Sequence, residues 1–213
     1  MIWLVTLGIA FVGSHYLLSH PLRAPFVNRM GEGPFRGVYV LIALITFVLM
    51  VWVYRGLGRQ APLWAPGDVT WLIASLLMWL ASILFVGSFE RNPAFPGAAL
   101  ITEPRGVFAI TRHPMMWSFA LWAIVHAAVV ATPKAFVLDV TIVILALGGA
   151  ALQDRKKAAQ IEGWHGWTSR TAFVPFTRGV GYPGAVAVIG GTVFFFAATW
   201  LHPIPAGFWR WIG

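Results

Sequence analysis

Two histidines lie within apolar runs, where an imidazole is costly. His15 follows Ile9-Ala-Phe-Val-Gly-Ser14, and His126 closes Phe119-Ala-Leu-Trp-Ala-Ile-Val125. A neutral imidazole brings one donor and one acceptor, and in hydrocarbon neither finds water. Each ring therefore either bonds a carbonyl or hydroxyl of a neighbouring helix, or ligates something. Two such rings in one small bundle raise a shared ligand. Haem iron is the obvious candidate, since facing helices often hold it through histidines. Depth counts against the pair. At 1.5 Å of rise per residue, His126 stands on the order of 18 Å above the loop holding His113, and His15 roughly 8 Å above its own helix end. Unless tilt closes that gap, the iron has one protein ligand, or His113 replaces one partner.

A second constellation is Gly106-Val-Phe-Ala-Ile-Thr-Arg112-His113-Pro114-Met115-Met116. Arg112 offers a planar fork of donors suited to carboxylate or phosphate, beside a titratable ring. Pro114 favours a helix start and supplies no chemistry itself. A third is His20-Pro21-Leu22-Arg23. Arg23 and Arg112 together would clamp two carboxylates, such as haem propionates. The plainer alternative for both is an interfacial basic turn. Asp154, followed by Arg155-Lys156-Lys157, reads as a helix-end ion pair or part of a polar pocket. The basic run itself reads as a headgroup-facing surface. His165 and His202 receive no role.

These residues must be positioned by membrane helices. Of 213 residues 59% are hydrophobic and 10% charged, against about 25% charged in a soluble domain. Such a chain could not cover its own surface in water. Six stretches approach the roughly 20 apolar residues of a span: 2–18, 37–54, 69–89, 115–130, 135–152 and 185–201. The fourth is short, and an early start with Val107 to Thr111 as its first turn and Pro114 as a kink would lengthen it. The expected fold is an all-α integral membrane bundle, one domain over residues 1–213. The first run lacks a basic n-region and a small-residue cleavage pattern, so it reads as a retained helix.

Charge sets the orientation. Eleven of the fifteen Lys and Arg fall on one side, namely Arg23, Arg29, Arg36, Arg91, Arg105, Arg112, Arg155, Lys156, Lys157, Arg170 and Arg178. Arg55, Arg59, Lys134 and Arg210 fall on the other. The positive-inside rule puts the first set in the cytoplasm and both termini on the outer, periplasmic side. The net charge of +8 thus points to the lipid bilayer as partner rather than to nucleic acid. With no cysteine, disulfides, zinc–thiolate sites and iron–sulfur clusters are excluded. A phosphate loop, a nucleophile elbow and an HExxH motif are also missing.

The order of these motifs resembles the NnrU family of bacterial membrane proteins. The resemblance rests on His15, Ser19 and Arg23 in an H-x3-S-x3-R pattern, and on Gly31 with Phe35-Arg36. It rests further on Gly106 with Ile110-Thr-Arg-His-Pro114, Leu121-Trp-Ala123 with His126, Asp154-Arg155, and the run Thr168 to Phe176. It implies an inner-membrane protein linked to denitrification and nitric oxide metabolism. The family is in turn similar to the 15-cis-zeta-carotene isomerase, which is associated with haem b. That similarity implies haem ligands at His15 and His126, with an apolar polyene or a small gas as substrate. The isomerase has a cysteine three residues before the second histidine, where this chain has Ala123, so thiolate-linked chemistry is not implied here. Isoprenylcysteine and phospholipid methyltransferases share Arg-His-Pro. They imply S-adenosylmethionine at Arg112, His113 and Asp154, although their tyrosine pair is missing here. A non-enzymatic membrane factor is the third expectation. Oligomeric state is not legible.

Overall fold

The computed structural model describes residues 1–90, 92–93 and 103–212. Arg91 lies outside the described residues. Those residues are helical wherever they are regular, apart from one isolated bridge between Thr177 and Gly179.

The apolar runs become α1 (Ile2–Ser19), α3 (Glu32–Gly56), α4 (Asp68–Gly87), α5 (Pro114–Val130) and α9 (Ala185–Trp200). The remaining run forms one long rod: α6 (Pro133–Val143), a single π-turn (Ile144–Gly148) and α7 (Gly149–Gln160). Two short helices, α2 (Arg23–Met30) and α8 (Trp164–Arg170), fill the basic connections. Among the described residues, four elements are long and apolar enough to cross a bilayer: α1, α3, α4 and the α6–α7 rod. The 17 and 16 residues of α5 and α9 span roughly 24–26 Å at 1.5 Å each. That is slightly less than the ~30 Å hydrocarbon core.

Helix ends follow local chemistry. His113 is the N-cap of α5, and Pro114 occupies its first turn, where a missing N–H costs nothing. Val107 to Thr111 do not extend α5, contrary to the longer fourth span that the sequence allowed. Gly106–Ala109 form a separate 3-10 turn, and Pro114 starts a helix rather than kinking one. At the other end, Ala131 turns left-handed at φ 49°, and Thr132 caps α6 by accepting from Ala135 N. This fixes α5 and α6 as an antiparallel hairpin. His165 lies exposed on α8.

Packing places the helices in a row. α3 packs on α1, α1 on α6 and the π-turn, α6 on α5, α5 on α4, and α4 on α9. Small residues permit the close approaches. A Cβ on Gly191 would stand 2.5 Å from the Ile83 Cα, and one on Gly8 would stand 2.6 Å from the Thr141 hydroxyl. One apolar core joins Ile83, Leu84, Val107, Phe108, Trp164 and Trp167, and another joins Leu4, Phe11 and Met50. Outside them, α3 exposes Val40, Leu41, Leu44, Ile45, Val48, Leu49 and Trp52. Water would penalise that contiguous apolar face heavily, whereas lipid tails do not. Among the described residues, no packing of comparable extent joins α1 or α3 to α4 or α9. The row therefore curves around an opening.

Candidate functional site: an apolar cavity with one histidine

The opening is a cavity of roughly 780 Å³. Phe11, Tyr39 and Phe47 form one wall, and Met78, Phe85 and Phe194 the other. Between them lie Met116, Phe119 and Trp122 of α5, with Ile142, Leu145 and Ala146 of the rod. Polar groups gather toward one end: Ser19 and His20 of α1, with Gln153 and Lys156 of α7. This is the basic end of the bundle, where Arg112 and Asp154 also meet.

His15 sits in the cavity wall. Its Nδ1 lies 2.6 Å from the Phe11 carbonyl, one turn back. A carbonyl only accepts, so Nδ1 carries a proton, and in the neutral ring Nε2 keeps its lone pair. No described residue bonds Nε2. Phe11 and Tyr39 meet the ring edge-on at 4.5 and 5.5 Å. A histidine whose other nitrogen donates to a backbone carbonyl is held as a metal-ligating histidine usually is.

The π-turn shapes the same wall. Opening the helix by one residue frees carbonyls, and the Tyr16 hydroxyl donates to that of Ile144. Gly148 leaves the room that the phenol fills. Tyr16 thus anchors α1 immediately beside His15. At the helix end, Ser19 Oγ donates to the His15 carbonyl, and His20 Nε2 to that of Leu152 at 3.0 Å.

The other sequence candidates lie elsewhere. His126 does not line the cavity. Its Nδ1 donates to the Trp122 carbonyl at 2.8 Å, and its ring stacks on Trp122 at 4.1 Å. Among the described residues, no contact joins His15 and His126, and only His15 lines the cavity. Among the described residues, no group of three or more metal-ligating side chains converges. Arg23 bonds both carboxylate oxygens of Glu32 at 2.7 Å, and Glu32 also accepts from Arg36.

Arg112, His113 and Asp154 do meet. Arg112 Nε donates to Asp154 Oδ2 at 2.7 Å, and His113 Nε2 stands 2.9 Å from Oδ1. Arg112 Nη1 donates to the Thr171 carbonyl, and its backbone N–H to that of Ala172. Thr111 and Trp117 both donate to the Phe173 carbonyl. None of the three lines the cavity. Together they tie the start of α5 to α7 and to the chain after α8. Arg112's fork is committed to protein partners.

Three features escaped the sequence reading. Lys156 lines the cavity, although the run 155–157 reads as surface. Its signal was there: Ile142, Leu145, Ala146, Gly149, Gln153 and Lys156 recur at helical spacing on one face. Tyr16 and Gly148 carried no signal, because their match depends on the π-turn. Asp139 is buried on α6 with no partner for Oδ2. A lone acid in an apolar run was visible, and marks an intramembrane ionisable group.

Fold and site together define an all-helical bundle of membrane type, built around an apolar cavity with one basic end. Within that class the chain belongs to the NnrU family, whose model, described as NnrU protein, matches residues 3–209. No curated protein and no solved structure matches it.

Proposed function

We propose that this protein is a haem b protein of the bacterial inner membrane, with His15 as the one residue of the chain that would hold its iron. The observation that carries the reading is His15 itself, with a fixed tautomer and an unpartnered Nε2 in the wall of a large apolar cavity. The donor set fits the group. An imidazole suits iron, aromatic and thioether side chains suit the macrocycle, and Lys156 at one end suits propionates. In this arrangement Lys156 takes the role that the sequence gave to Arg23 and Arg112, since those two guanidiniums already bond Glu32 and Asp154.

Bound there, haem would supply iron chemistry suited to nitric oxide or to the double bonds of an apolar polyene. The chain's residues do the rest. Phe11 and Tyr39 hold the imidazole plane, the Phe11 carbonyl holds its proton on Nδ1, and Phe85, Phe119 and Phe194 exclude water. A single histidine favours ligand binding or isomerisation over electron transfer, which a second permanent ligand would suit better. The topology proposed with it has six crossings, the basic end in the cytoplasm, and both termini outside.

The test is the pyridine haemochrome spectrum of the protein purified in mild detergent. About one haem b per chain is expected, lost in His15→Ala and kept in His126→Ala. Wild-type protein without haem, even after supplementation during expression, would sink the reading. A second reading, a membrane methyltransferase, is favoured by the convergence of Arg112, His113 and Asp154. It requires calorimetric binding of S-adenosylmethionine that Arg112→Lys weakens. A non-enzymatic membrane factor gives neither signal.

A further inference from the structure

We propose that His126 and His202 form a site for a borderline transition-metal cation, of the zinc or copper(II) class, at the end of the bundle opposite Lys156. Their ring centres lie 6.3 Å apart, with planes inclined at 44°. A zinc-bound imidazole nitrogen lies about 2.0–2.1 Å from the ion, so two rings sharing one ion have centres roughly 5–6.5 Å apart. The observed spacing lies at the wide end of that window, the opposed arrangement of a tetragonal copper(II) site, and a tetrahedral zinc draws the exposed His202 ring about 1 Å closer to His126.

The rings are also prepared for it. His126 donates through Nδ1 to the Trp122 carbonyl and stacks on the indole, which fixes its tautomer and plane and leaves Nε2 as an acceptor. No described residue bonds that nitrogen, or either ring nitrogen of His202. His202 is exposed, so a hydrated ion reaches the pair from solution.

The local field favours a cation as well. His126 lies four residues before the end of α5 at Val130, and His202 lies two residues past the end of α9 at Trp200. Both helices present their C-terminal carbonyls there, and such ends carry partial negative charge. Two imidazoles leave coordination positions for water or an external ligand, so the ion exchanges rather than being entombed. Imidazole donors without carboxylate or thiolate select zinc or copper over calcium and magnesium.

The experiment titrates EDTA-washed, detergent-purified protein with Zn²⁺ by calorimetry, and reads Cu²⁺ by paramagnetic resonance for nitrogen couplings. About one Zn²⁺ per chain is expected. His126→Ala and His202→Ala should each weaken it at least tenfold, while His165→Ala, at the exposed histidine of α8, leaves it unchanged. Identical titrations for all three variants, or no binding by the wild type, overturn the proposal. Should His126→Ala fail to fold, His202→Ala and His202→Asn at the exposed partner decide alone. The visible spectrum separates this site from the haem reading. His15→Ala should remove haem and spare zinc, and a Soret band lost in His126→Ala would return that histidine to the iron and refute the zinc site.

Discussion

Tyr16 and Gly148 are matched across the α1–rod interface: the phenol of one occupies the space that a side chain on the other would fill. The hydroxyl then reaches the Ile144 carbonyl, at the first residue of the π-turn. π-turns often occur where a helix serves a functional site. Here the turn flanks the cavity through Leu145 and Ala146, and Tyr16 sits next in sequence to His15. Tyr16→Phe should cost about 1 kcal/mol, the worth of an ordinary hydrogen bond. Gly148→Ala should cost about 1–3 kcal/mol through overpacking. The effects should not add, because both act on one contact. Thermal unfolding in detergent measures all three, and additive losses would show that the residues act separately.

The imidazole of His15 is replaceable from solution on the haem reading. His15→Gly should purify without haem and regain a Soret band when imidazole and haemin are supplied together. His126→Gly should need no such rescue. A Soret band in His15→Gly without imidazole would place the iron on another residue.

Lys156 is the cation lining the cavity among the described residues. Losing a charge-assisted bond costs about 1.5–3 kcal/mol, so Lys156→Gln should weaken haem retention roughly 10- to 100-fold, with Lys156→Arg close to wild type. Competition with a haem acceptor protein gives the ratio. Equal retention in Lys156→Gln and wild type would return this lysine to the headgroups.

The latch of Arg112, His113 and Asp154 has a structural consequence. Arg112 and Asp154 are mostly buried, with side chains 14% and 16% exposed. Breaking a buried pair by removing one partner costs about 3–5 kcal/mol, less where water reaches it. Asp154→Ala should therefore lose about 2–4 kcal/mol, and proteolysis should find new cleavage after α8, where residues 171–173 are tied down. A variant as protease-resistant as wild type would show that other contacts hold this segment.

At the α4–α9 contact, the Ile83 backbone touches Gly191. Gly191→Ala should destabilise by about 1–3 kcal/mol while leaving haem content per folded chain unchanged. Loss of haem from well-folded protein would link this contact to the cavity wall that Phe85 and Phe194 form beside it.

The apolar runs, the near absence of charge within them and the two intramembrane histidines were written in the order of residues. So was a helix start at Pro114, beside the alternative of a kink there. Helical periodicity and the cost of polar groups in lipid are local facts, readable one segment at a time. Even Lys156 was on a readable stripe. What no segment carried was which faces meet. His15 and His126 looked alike in sequence. The packing row turns the first toward the cavity, and the Trp122 stack with His202 nearby takes the second. Arg112 looked like a free fork until the fold brought Asp154 beneath it. The π-turn lies where the rod receives the tyrosine hydroxyl of another helix. Such choices depend on contacts between residues over a hundred positions apart, such as Tyr16 and Ile144, so only the tertiary structure decided them.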